Sequence, residues 1–185
     1  MRYFFAVLYT GLALAANVAA ADTAEIEALR EGTMKKLSFS EPRPVSESTF
    51  TDPDGGEFTL AGFQGKTVLL NFWATWCAPC RKEMPMLSEL QTEFGGDDFE
   101  VVTIATGRNS IPGMRKFFDE IGVDNLPFYL DPKQKLAREM AVLGLPITLI
   151  LDEDGNEIAR MRGDAEWNSP SAKAIIAALL ADAGS

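Results

Sequence analysis

Two cysteines, Cys77 and Cys80, are the only ones in a chain of 185 residues, and they stand between two stretches of different periodicity. Before them, Thr67-Val68-Leu69-Leu70-Asn71-Phe72-Trp73 is an apolar, β-forming run that predicts a buried central strand. After them, Met84, Leu87, Leu90 and Phe94 recur at helical spacing within Arg81 to Phe94. The cysteines therefore sit where a strand ends and a helix begins. At such a helix start the first N–H groups lack partners and the macrodipole is positive, so a thiolate is stabilised there. A cysteine so placed falls from a free pKa of ~8.5 into roughly 3.5–7.5 and becomes a nucleophile at neutral pH. The C-x-x-C spacing lets Cys80 reach the same helix end and close a small disulfide ring with Cys77. Cys77 is assigned as the attacking thiol and Cys80 as the resolving one. Pro85 falls inside the helix without an N–H for the Arg81 carbonyl, which predicts a kink just past the cysteines.

The run W-A-T-W-C-A-P-C-R-K-E-M-P resembles the active-site segment of the thioredoxin superfamily, and more narrowly its TlpA/ResA/CcmG branch of periplasmic thiol–disulfide reductases. Asn71 stands where cytosolic thioredoxins usually carry a buried aspartate, and Glu83 stands where this branch carries an active-site glutamate. Gly144-Leu145-Pro146-Ile147-Thr148 resembles the loop that carries the superfamily's cis-proline. The resemblance covers roughly residues 40–182. It implies a thioredoxin fold of the α/β class, a central mixed sheet flanked by helices, with an N-terminal β-hairpin and an inserted strand and helix. It further implies a substrate groove formed by Trp76, Ala78, Pro79, Leu145 and Pro146. The Leu145 backbone would pair there with an extended client segment. No cofactor is implied beyond the Cys77–Cys80 disulfide. The implied partners are disulfides of client proteins, such as apocytochrome c or a copper-site subunit of cytochrome oxidase, and a membrane electron donor.

The N-terminus reads as a secretion signal over residues 1–20. Arg2 supplies the charge, Phe4 to Ala16 are uncharged and mostly apolar, and Val18-Ala19-Ala20 fits a cleavage site. The uncharged stretch from Tyr3 to Ala21 also allows a retained anchor. The expected location is the periplasm, soluble or anchored at the inner membrane. Removing one arginine and no acid takes the formal charge from −10 to −11, which argues against nucleic acid or anionic membrane surfaces as partners. The remaining ~165 residues suit one domain burying roughly 70% of its unfolded-chain surface. Residues 21–40 read as an N-terminal helix and linker, and 41–185 as the thioredoxin-like domain. An exported chain whose cysteines all lie in one C-x-x-C motif points to redox work and not to a scaffold.

Along the chain, residues 22–36 predict a short helix packing loosely on the domain, and Glu41-Pro42-Arg43-Pro44 an extended link. Thr49-Phe50 and Glu57 to Leu60 flank a turn at Thr51 to Gly56. Strands are expected at Phe99 to Thr106, Leu126 to Leu130, Ile147 to Leu151 and Glu157 to Met161, and helices at Pro112 to Ile121 and from Asp131-Pro132 to about Val142. A last helix follows Asn168-Ser169-Pro170, with Ala172, Ile175, Ile176, Leu179 and Leu180 inward.

Each signal has a blander reading. A C-x-x-C bridge closes too small a loop to add much stability, and a zinc site lacks further cysteine or any histidine. Glu83 is either an ordinary solvated helix residue or a proton carrier under the thiols. Met84 and Met86 beside two thiolates open a rival reading as a Cu(I) chaperone, although packing explains them too. A general disulfide oxidase is the enzymatic alternative. Asp152-Glu153-Asp154-Gly155 lacks the distal glutamate of a calcium loop and reads as a turn.

Overall fold

The computed structural model describes residues 23–183; the secretion-signal reading lies outside them. Eight strands make one mixed sheet in the order β1-β8-β7-β4-β5-β6-β2-β3. They are β1 (Ser38–Pro44), β2 (Phe50–Thr51), β3 (Glu57–Phe58), β4 (Thr67–Trp73), β5 (Phe99–Thr106), β6 (Phe128–Asp131), β7 (Ile147–Leu151) and β8 (Asn156–Arg162). Four helices of the fold are α1 (Ala78–Phe94), α2 (Ile111–Ile121), α3 (Lys135–Glu139) and α4 (Pro170–Ala183).

The centre is β4, buried at every position and paired in parallel with β5 and antiparallel with β7. Its apolar side chains alternate between two cores. Leu69 and Trp73 join Val101, Ala105 and Ile150 against α1, α2 and α4, whereas Val68, Leu70 and Phe72 join Val102, Ile104 and Leu149 against α3 and Phe50 of the hairpin. Strands β4, β5, β6 and β8 end, and β7 begins, at one end of the sheet. Every loop that matters chemically emerges there.

Three expectations need correction. The supposed link is strand β1, which pairs antiparallel with β8 from Ser38 opposite Arg160 to Pro44 opposite Asn156. Its two prolines are tolerated because β1 is an edge strand that needs ladder donors on one side only. The leader is not loosely attached. A helical turn over residues 23–28 gives way at Gly32, where φ is +52°, to a 3-10 turn (Gly32–Lys36). Its Met34, with Leu37 behind it, is wholly buried in the same core as Trp73. Finally, Asp131 is the last residue of β6 and does not begin a helix directly. A turn intervenes, with Gln134 left-handed at φ 54°, and the Asp131 carboxylate reaches over it to accept the N–H groups of Lys135 and Ala137 at 2.9 Å each.

Candidate active site

Cys77 is the N-cap of α1. Its φ/ψ of −86°/101° is extended, and its Sγ accepts the Cys80 backbone N–H at 3.3 Å. Pro79 occupies the first turn, where a missing N–H costs nothing. Cys77 and Cys80 are joined as a disulfide with S–S 1.99 Å. Cys77 retains 5% exposure and Cys80 none, so an attacking group meets Cys77 first. The helix runs unbroken across Pro85.

The loop that carries Trp76 and Cys77 is fixed from the side. Asn109, in the loop after β5, accepts both the backbone N–H and the hydroxyl of Thr75 on its Oδ1, at 2.9 and 3.0 Å, and its amide donates to the Thr106 carbonyl. Trp73 packs inward against Phe117 and Phe118, whereas Trp76 is 65% exposed. Ala78 is exposed and Pro79 half-buried. The Leu145–Pro146 peptide is cis, as the loop's resemblance implied. Because Ile147 pairs with Phe72 across β7 and β4, Pro146 and Leu145 lie at the sheet end from which Cys77 emerges.

Glu83 is not a solvated helix residue: it is fully buried, one helical turn past Cys80 on the inner side of α1. Asn71 Nδ2 donates to Glu83 Oε1 at 2.8 Å and to the Thr148 hydroxyl at 2.9 Å, Thr148 being its cross-strand partner. The Ala165 backbone N–H approaches Glu83 Oε2 at 3.4 Å. The buried Trp167 indole N–H lies near the same carboxylate without reaching hydrogen-bond geometry. Burial outweighs these donors and pushes the Glu83 carboxyl up to about 7, where it exchanges its proton near neutral pH.

Asn109, Thr148, Ala165 and Trp167 were missed from the sequence. Thr148 had a signal, a hydroxyl inside an otherwise aliphatic strand opposite the one amide of β4. The others act through loops whose pairing no local pattern reveals.

The sequence model of the Redoxin family matches residues 38–176. The chain belongs to this family. Among curated relatives, thiol-disulfide oxidoreductase ResA of Bacillus subtilis (strain 168) is 31% identical over 128 residues, 69% of this chain and 70% of that protein. ResA of Bacillus thuringiensis subsp. konkukian is 32% identical over 114 residues, 62% of this chain. The chain thus spans 65% of the length of the first ResA proteins it matches. Among solved structures, a putative thiol:disulfide interchange protein DsbE from Chlorobium tepidum superposes with a TM-score of 0.67 at 24% identity, covering 77% of this chain and 99% of that one. That likeness establishes the thioredoxin fold.

Proposed function

We propose that the protein is a thiol–disulfide oxidoreductase that works as a dithiol reductase on client proteins. The observation that carries this reading is the Cys77–Cys80 disulfide at the start of α1, with a buried, neutral-pH carboxylate one turn behind it. In the reduced protein, the Cys77 thiolate attacks one sulfur of a client disulfide. That S–S bond breaks, a mixed disulfide forms, and the client's second sulfur leaves as a thiolate that takes up a proton. Cys80 gives its proton to the Glu83 carboxylate and attacks Cys77 Sγ, closing the Cys77–Cys80 bond and releasing the client's other sulfur as a thiolate, which takes up a proton from solvent. Two electrons pass from the dithiol to the client. Trp76, Ala78, Pro79, Leu145 and Pro146 line the approach, the Leu145 backbone offering hydrogen bonds to an extended segment.

Reduction is favoured over oxidation because Ala78-Pro79 places no polar or charged side chain between the cysteines, and buried Glu83 opposes thiolate build-up. The signal-like residues 1–20 support work in the periplasm, soluble or anchored, with re-reduction by a membrane electron donor. The resemblance to the TlpA/ResA/CcmG branch supports clients in cytochrome c maturation or cytochrome oxidase copper-site assembly. The test is to express Cys80→Ser in the exporting cell and identify what is covalently held. Cytochrome or oxidase-subunit chains released by reductant would bear out the client class. An unbound Cys80→Ser protein would overturn the reductase reading.

A further inference from the structure

We propose that the sheet end bearing the disulfide is a docking surface for extended, cysteine-bearing client segments rich in acidic residues, bounded by Trp76, Leu143, Lys82, Arg108 and Arg162. This rests on the reductase reading and names its substrate class.

The apolar part comes from two side chains. Among the described residues, the exposed large hydrophobics are Trp76 at 65% and Leu143 at 94%. Both belong to loops of the site, one residue before Cys77 and three before the cis Pro146. They stand on two different loops at one sheet end, where an extended segment crossing Cys77 can meet both.

The charge is distributed unevenly in a protein whose formal net charge is −10. At the disulfide end, Lys82 in the second turn of α1, Arg108 after β5, Lys133 and Lys135 after β6, and Arg162 closing β8 are all exposed. The exposed acids near them are Asp164 and Glu166 after β8, Glu139 closing α3, and Glu120 of α2, whose charge is matched by Arg81 in the first turn of α1 at 3.1 Å. At the opposite end, Asp54, Asp97, Asp98, Glu153 and Asp154 are exposed, while Lys66 there pairs with Glu100. The seven residues of β4 separate the two ends by roughly 23 Å at ~3.3 Å per residue, more than two Debye lengths of ~8 Å at physiological salt. A segment docked at Cys77 therefore feels the near cations and is shielded from the far acids. Net charge alone would predict a preference for basic clients, and the local arrangement reverses it.

The test uses three peptides, each with one internal disulfide and one leucine beside it, flanked by glutamates, by lysines or by serines. Second-order rates of their reduction by the reduced full chain are measured at low and high salt. The glutamate peptide should react about tenfold faster than the lysine peptide at low salt, within the range of electrostatic steering, and the gap should close at high salt. The double variant Arg108→Glu/Arg162→Glu should remove or invert that gap, while Glu153→Lys at the far end should leave it. Leu143→Ser should slow all three peptides alike. Equal rates for the charged peptides, or the same response to Glu153→Lys, would overturn this proposal and leave the reductase reading intact. No reduction of the serine peptide would overturn both.

Discussion

Asn71 Nδ2 lies 2.8 Å from Glu83 Oε1, so an amide on the central strand holds the one fully buried carboxyl of α1 in place. The amide donor favours the ionised form, burial opposes it more strongly, and the balance leaves the carboxyl titrating at about 7. Each consequence can be measured.

Glu83→Gln keeps the shape and removes the charge. Cys77 should then ionise at lower pH, since a nearby carboxylate disfavours the thiolate, and the reduction potential should rise. Client reduction should slow because the proton carrier is gone. A titration of thiolate absorbance checks the first point. Unchanged curves would make Glu83 a packing residue.

The same group governs stability. A carboxyl raised in the folded state contributes stability that is fully present below its unfolded pKa and is lost as pH rises through the folded value. The loss should run from about pH 4.5 to about pH 7 and amount to about 3 kcal/mol. Denaturant midpoints of the wild type should fall over this window, and those of Glu83→Gln should fall less.

How much of this was legible in the sequence depends on burial. Strands β4, β5 and β7 announced themselves because strands covered on both faces are nearly continuous apolar runs. Strand β1 did not, because Ser-Phe-Ser-Glu-Pro-Arg-Pro is an exposed edge with one large apolar residue. Cys77, Cys80 and Pro146 were readable from local motifs. The depth of Glu83 was not, since a glutamate on a helix is ordinarily solvated. The ion pair of Arg160 with Glu157 at 2.7 Å also went unseen. Its guanidinium donates to the Met140 carbonyl and so braces the chain entering the Pro146 loop.

The leader should matter to the fold. Met34→Ala or Leu37→Ala removes a fully buried side chain and should cost about 2–5 kcal/mol by chemical denaturation, as core truncations do. A change within about 0.5 kcal/mol would be the surface behaviour of a loosely attached arm.

The two tryptophans should separate cleanly. Trp73→Ala should destabilise by about 3–5 kcal/mol. Exposed Trp76→Ala should leave stability within about 0.5 kcal/mol while lowering the rate on peptide disulfides.

Cys77 should take a thiol alkylating agent at neutral pH well before Cys80 in the reduced protein, because Cys77 keeps 5% exposure and its sulfur accepts the Cys80 N–H. Peptide mapping of the first adduct decides it; an adduct on Cys80 would reverse the assigned roles.

The most direct test of the central claim is the redox equilibrium of the Cys77–Cys80 pair against glutathione buffers at neutral pH. The account predicts a potential on the reducing side of about −200 mV, closer to the ~−270 mV of thioredoxin than to the ~−120 mV of a strong exported oxidant. A value near about −120 mV would contradict it.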